Sequence, residues 1–365
     1  MSDEVINKAK PHTIKKFELI EKYVEAWAQK LLQNPNCDRL VFIDCMSNNG
    51  EYFDDKGKAV YGTPVRVANC LHDVAGQYFH KQIDLYFSDL SKPKTEHLKG
   101  LLPKERKNFH CHVSTEDGND LIKRLGKEMD GWRNTHCLLV YDPYEATIDW
   151  EAIFPFVNSW SEVILNHMVS DPVRAVKTVK RAETRAKYEQ TYLTEFENLM
   201  SFGSDKEAYE DRLKKIIRAL RQNQTRQYYM AAFPFFNGKN VMLYELLHCT
   251  SNIEGFKLYK YSAWKTFGGK SSTKNTHGSE SQMALDFGDE DFFDTKKEEF
   301  CYYVKDIAEY LARKFGGEKD VPLERIWMDL DNHPIFPGDG YRNEIKKDLK
   351  QNHGATITRS TISFL

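Results

Sequence analysis

The chain has 365 residues, enough for one large domain with additions or for two domains. With 41% hydrophobic and 29% charged residues and a formal net charge of -2, it has the balance of a folded globular protein, and no global charge excess announces a nucleic-acid partner. The first residues lack the apolar core of a signal peptide, and no uncharged apolar run reaches the roughly 18 residues that span a bilayer. Seven scattered cysteines without a Cys-x-x-Cys pair argue against structural zinc and a disulfide framework. The expectation is a cytoplasmic protein with reduced thiols, no membrane attachment and no metal.

The first element is a helix from Thr13 to Leu32, where Ile14, Phe17, Ile20, Val24, Trp27 and Leu31 recur at three- and four-residue spacing. Arg39–Asp44 is short, apolar and rich in β-formers, so it reads as a buried strand. It ends in an aspartate before the polar turn Cys45–Gly50. Gly62-Thr-Pro64 then opens a helix carrying Val65, Val67, Ala68, Leu71, Val74 and Ala75, with proline in its favoured first turn.

The alternation repeats. Strands are expected at Ile83–Ser88, Asn108–Val113, His136–Tyr141 and Glu162–Asn166, and helices at Thr95–Leu101, Asp120–Met129 and from Trp150 to Phe156. Strand and helix alternating in this way predict an α/β fold, a doubly wound and mostly parallel sheet. Residues 171–226 read as charged helices inserted between sheet strands. Asn240–Leu247 resumes the strand pattern, and Phe256–Tyr261 is expected to continue it. The polar, then acidic, stretch 268–295 reads as a mobile loop that closes a first domain at residue 267. Residues 296–365 give helices and a last strand. In the helix from Tyr341, Ile345 and Leu349 form the core stripe while Arg342, Lys346, Lys347 and Lys350 occupy other faces. With the strand after Ala355, this resembles part of a winged-helix unit, whose second helix would meet nucleic acid through those four cations; the same cations would equally form an ordinary solvated face.

Ligands of an open parallel sheet bind beyond the carboxyl ends of its strands. Three strands end in aspartate there: Asp44, Asp89 and Asp142. The same residues would also serve as caps for the helices that follow. A nicotinamide site is disfavoured, because no G-x-G-x-x-G follows the first strand. His110 and His112 share one strand face without a further ligand near them in sequence, and Asn166-His-Met168 either lines the cleft or caps the next segment.

Several segments together resemble the bacterial three-Cys-motif partner family (TcmP): His12-Thr-Ile-Lys-Lys-Phe17 with Ile20–Tyr23, Phe42–Asp44 with the turn containing Gly50, Gly62–Pro64, Tyr141–Pro143 and Val163–Asn166. The resemblance runs over roughly residues 12–255. It implies a Rossmann-like core of the S-adenosylmethionine (SAM)-dependent methyltransferase type, and a partner protein, carrying the three-cysteine motif, that resembles radical-SAM enzymes. On that basis Asp44, Asn49, Gly50, Asp89 and Asp117 are expected around SAM. Asp142, Pro143 and Tyr144 are expected at the methyl acceptor, since Asp142-Pro-Tyr144 resembles the (Asp/Asn)-Pro-Pro-(Tyr/Phe) loop of amino-methylating enzymes. The family's first loop tends to read Asp-Gly-Phe-Ala-Gly-Pro-Gly, whereas here it is Asp44-Cys-Met-Ser-Asn-Asn-Gly50. Two expectations follow: a methyltransferase, with nucleic acid as its acceptor, or a catalytically degenerate fold that binds nucleic acid or a partner.

Overall fold

The computed structural model describes residues 7–143, 147–203, 205–220, 227–275 and 301–365. After a short strand β1 (Asn7–Lys8), the amphipathic stripe folds as α1 (Pro11–Leu32), entered through Pro11, whose missing N–H costs nothing in the first turn. Strand β2 (Arg39–Asp44) follows. The hairpin of β3 (Glu51–Phe53) and β4 (Ala59–Tyr61) joins β1 in a small separate sheet of order β1-β3-β4.

The expected alternation is then realised by α2 (Thr63–Gln77), β5 (Gln82–Ser88), α3 (Lys92–Leu101), β6 (Phe109–Ser114), α4 (Gly118–Glu128), β7 (Thr135–Tyr141), α5 (Trp150–Ile153) and β8 (Ser161–Met168). A helical insertion comes next: α6 (Ser170–Ala175), α7 (Ala182–Tyr192), α8 (Phe196–Ser201) and α9 (Lys206–Leu220). The sheet resumes with β9 (Tyr229–Phe236) and β10 (Met242–Thr250), before α10 (Ile253–Thr266).

The central sheet runs β6-β5-β2-β7-β8-β10-β9. Its first five members are parallel, while β10 is antiparallel to both β8 and β9. Strand β2 lies in the middle, so Leu40, Val41, Phe42 and Ile43 are all fully buried and the run has no polar alternation. Phe42, Phe87, Val140 and Leu246 pack on the α1, α2 and α10 side with Tyr23, Trp27, Leu71 and Tyr259. Val41, Ile43, Leu139 and Leu165 pack on the opposite side with Leu121 and Leu125 of α4 and Leu213 and Ile216 of α9.

Two expectations are corrected. Phe256–Tyr261 is helix, not strand. The side chain of Asn252 caps α10 by accepting the Glu254 N–H at 2.9 Å, and Phe256, Tyr259, Lys260 and Ala263 then face inward at helical spacing. The strand β9 was hidden by Pro234 in its middle; it is an edge strand, where a missing ladder donor is tolerated. Of the 268–295 stretch, residues 268–275 lie against the fold, with Ser271 and Ser272 buried and the Ser271 N–H donating to Tyr302 O at 3.0 Å. Residues 276–295 lie outside the described residues.

The carboxyl-terminal part comprises α11 (Val304–Lys314), β11 (Val321–Pro322), α12 (Leu323–Asn332), α13 (Arg342–Asn352), β12 (Thr356–Ile357) and β13 (Thr361–Ser363), with a sheet of order β11-β13-β12. Its apolar core is continuous with that of the large sheet through α10, where Trp264 meets Phe336 and Tyr341 at ring-centroid distances of 6.3 and 5.6 Å. Beside it, the buried Lys260 Nζ donates to Leu330 O (2.8 Å), Asp331 O (3.0 Å) and His333 O (2.6 Å), using all three N–H bonds of the ammonium on the end of α12. Each of the seven cysteines is free, and among the described residues no helix is long and apolar enough to cross a membrane.

Replacing Lys260 with methionine keeps the apolar stem but leaves three carbonyls without their donor. We expect a loss of about 3 kcal/mol in urea-induced unfolding; an unchanged midpoint would contradict the role given to this lysine in docking α12.

Candidate functional site

The register of the sheet decides where the strand-end aspartates go. Asp44 pairs in level with Phe87 of β5 and with Val140 of β7. Asp89 and Asp142 each lie two residues further on. Side chains alternate with a period of two, so Asp44, Asp89 and Asp142 continue the face of Phe42, Phe87 and Val140, the one beneath α1. Strand β8 adds a fourth group. Ile164 is level with Val140, which brings Asn166 level with Asp142, and the Asn166 Nδ2 donates to Asp142 Oδ1 at 2.5 Å. The order of strands reverses between β2 and β7, which is where an open α/β sheet leaves its crevice.

The amino-terminal half of α1 lies over this rim. Lys16, 8% exposed, ion-pairs with Asp142 Oδ2, and its ammonium sits 5.4 Å from the ring centre of Tyr244. Phe17 packs on Tyr52 of the β3–β4 hairpin with ring centroids 5.1 Å apart, and the Tyr244 hydroxyl donates to His12 O at 3.4 Å. Sequence reading missed Lys16. The available signal was a lysine inside the inward stripe, one turn before Ile20.

Asp44 differs from its neighbours. It is 4% exposed, accepts the Met46 N–H at 3.3 Å, and has no ion-pair partner among the described residues. Burial first, then the charge of Asp142, pushes its carboxyl up to about 7; the Met46 N–H and Lys16 oppose this, and Asp89 adds to it. Burial, then Asp142 and Asp44, also raise the phenol of Tyr52, which hydrogen-bonds Asn48. The Asn166 carbonyl oxygen is buried without a hydrogen-bond partner among the described residues. Above about pH 7 the rim therefore carries in Asp44 a carboxylate that no cation pairs among the described residues, and in Asn166 an acceptor still short of a donor.

The first loop has no glycine before Gly50 and makes its turn with other residues. Asn48 occupies the left-handed region at φ 57°, which Asn tolerates better than most residues. Ser47 N and Oγ both donate to Ser88 O, at 2.8 and 3.0 Å, and Ser88 Oγ returns a bond to Cys45 O at 2.7 Å. Gly50 is the residue that suits its place: φ is 78°, strained for any L side chain, and a Cβ there would stand 2.7 Å from both Leu98 Cδ1 and Val65 Cγ2, which would have to shift.

The other expected residues have local duties. Asn49 is buried, and its side-chain oxygen accepts the Glu51 N–H at 3.3 Å at the start of the hairpin. Asp89 Oδ1 accepts the Ser91 N–H at 2.8 Å, and Lys94 stands 3.9 Å from Oδ2. Asp117 caps α4 through the Asn119 N–H at 2.8 Å. Pro143 is buried, and Tyr144 lies outside the described residues. His167 turns to the opposite face, where its Nε2 is 3.2 Å from the Tyr192 hydroxyl. On α13, Arg342 and Lys346 lie over the Trp327 ring at 5.3 and 5.6 Å, while Lys347 and Lys350 are exposed. Among the described residues no group of three or more His, Cys, Asp or Glu side chains is arranged to hold a metal.

No protein-family model and no curated protein matches this sequence. Several solved structures have a similar course of chain. A Legionella pneumophila protein of family DUF519 is 12% identical with a TM-score of 0.40, covering 69% of this chain and 92% of its own. Human methyltransferase-like protein 13, in complex with SAH, is 11% identical with a TM-score of 0.31, covering 74% and 97%. Loganic acid methyltransferase with SAH is 10% identical with a TM-score of 0.29, covering 70% and 83%. These are likenesses of general shape. The α/β assignment rests on the sheet's own order and directions.

An unfolded aspartate loses its proton near pH 3.9, whereas folded Asp44 keeps it to about pH 7. Between these values the folded state holds the extra proton, so stability falls as pH rises through the window and levels off above it. Asp44→Asn abolishes this contribution, which is on the order of 4 kcal/mol. Urea unfolding at pH 4.5 and 7.5 checks it: the wild-type loss across that interval must exceed the variant's.

Proposed function

We propose that the chain is a methyltransferase of the SAM-dependent class, with its cofactor crevice between β2 and β7. One observation carries the reading: Asp44 is a buried carboxylate with no ion-pair partner among the described residues, at the switch point of the sheet and on the same face as Asp89 and Asp142. Such a site favours a ligand that brings positive charge. The reversed strand β10 between β8 and β9 also supports the methyltransferase form of the doubly wound sheet over the all-parallel dinucleotide-binding form.

When bound, SAM supplies an electrophilic methyl group on a sulfonium. In this reading Asp44 compensates the positive charge. Asp89, still short of donors at Oδ2, accepts from the ribose diol, as the resemblance implies. Asn166 offers its free carbonyl oxygen to an N–H of the acceptor, while Lys16 keeps Asp142 fixed beside it. Pro143 adds a buried apolar contact on the acceptor side, where the resemblance also expects Tyr144. Catalysis then comes from orientation and fixed charge more than from covalent participation. Asn49 and Asp117 contribute through the shape of the loops they tie down.

The finer parts of the reading concern partners. The three-Cys-motif partner family supplies a radical-SAM-like protein as the candidate partner, on the strength of the five sequence segments that resemble that family. The order helix, strand, two helices and hairpin from α11 to β13 supports a winged-helix-like unit. Lys347 and Lys350 are then its outward cations toward nucleic acid, since Arg342 and Lys346 are engaged with Trp327.

Titration calorimetry with SAM and with its neutral-sulfur product tests the central claim. Ionisation of Asp44 favours the sulfonium, so the preference for SAM over the product is expected to rise roughly tenfold between pH 6 and 8 and to flatten in Asp44→Asn. No heat with either compound up to millimolar concentration removes the enzyme reading and leaves a binding scaffold.

A further inference from the structure

We propose that the helical insertion carries a docking surface for the phosphodiester backbone of a nucleic acid, formed by the segment from Arg174 to Lys187. These fourteen residues hold six cations, Arg174, Lys177, Lys180, Arg181, Arg185 and Lys187, and one carboxylate, Glu183, in a chain whose net charge is -2. The concentration is local, and packing turns it outward. Val173, Val176 and Val179 face in against Tyr188, Tyr192 and Phe196, which leaves Lys177, Lys180 and Arg181 on the solvent side. The turn between α6 and α7 is held by the Thr178 and Val179 N–H groups, both donating to Ala175 O at 2.9 Å.

The three outward cations are unspent. Arg174 pairs with Asp171 at 2.8 Å and Arg185 lies over the Phe196 ring at 4.9 Å, but Lys177, Lys180 and Arg181 have no carboxylate within ion-pair distance among the described residues. Unpaired, exposed cations near one another repel, and they gain most from a partner with closely repeated negative charge. The outward side of the segment offers no aromatic ring for stacking, so the contact expected is with the backbone and independent of sequence.

Position supplies the second reason. Helix α6 starts two residues after β8, the strand whose Asn166 holds Asp142, and Ser170 Oγ ties its first turn to Met242 O of β10. The cations thus extend from the rim that bears the acidic crevice. A polyanion held there would be repelled by the crevice carboxylates themselves and drawn to the insertion, which separates a docking surface from a reaction centre. The inference needs no cofactor and no methyl transfer, so calorimetry with SAM and the experiment below can fail independently.

The probe is a fluorescein-labelled 20-nucleotide single-stranded RNA, its binding followed by anisotropy from 0.05 to 0.3 M salt. Replacing Lys177, Lys180 and Arg181 with glutamine removes three phosphate contacts. The slope of log K against log salt should fall by about 2, and the affinity at 0.15 M salt by roughly 50-fold. Substituting Lys347 and Lys350 instead should leave most of the affinity. Thermal melting confirms that the exposed substitutions keep the fold. The proposal is overturned if the wild-type chain does not bind the RNA at 0.05 M salt, if the triple variant keeps its slope, or if polyglutamate of equal charge competes as well as the RNA.

Discussion

Everything at the rim follows from one constraint: three carboxylates are forced onto the same face of adjacent parallel strands by register, and the chain must keep them there. Like charges that close are stable together only if one gains a proton or a counter-ion. The fold uses both devices. Asp142 receives the ammonium of Lys16 and the amide of Asn166. Asp44 receives neither, and holds its proton to about pH 7. The acidity of the site is therefore divided between a fixed anion and a switchable one, set by which carboxylate the first helix can reach.

That division depends on parts far from it in sequence. Lys16 reaches Asp142 because the rest of α1 is anchored by Leu19, Ile20, Tyr23, Val24 and Trp27, each worth about 2 kcal/mol of apolar burial. Tyr23 is itself held on that same face, toward the start of β8, by Glu162 and by His248, whose Nε2 is 2.9 Å from the phenol oxygen. Helix α10 presses on the same face and carries the carriage of α12 on Lys260. The carboxyl-terminal part is thus mechanically joined to the helix that sets the charge of the crevice.

Much of this was legible in the sequence, and the exceptions are instructive. The strand–helix alternation was readable because buried parallel strands are continuous apolar runs, and the strand-end aspartates because they interrupt those runs. Strand β9 was not, since Pro234 mimics a break. Phe256–Tyr261 misled because aromatic residues suit strand and helix alike. In the site, Asp44, Asp89 and Asp142 were found by position, but Lys16 was not, because a lysine on an amphipathic helix is ordinarily solvent-facing and only the tertiary register supplies its partner. Asn166 stayed undecided for the same reason. The first loop turns without glycine before Gly50 by a local device, Asn48 in the left-handed region and Ser47 bonded to the end of β5, that no single-residue reading provides.

The most direct test of the account is a carbon-13 NMR titration of the aspartate side-chain carboxyls, with the Asp44 signal assigned by its loss in Asp44→Asn. The account predicts one buried carboxyl titrating near pH 7, moving further up when Lys16 is replaced by methionine and Asp142 loses its counter-ion. An Asp44 that titrates below pH 5, or that ignores the removal of Lys16, would contradict it.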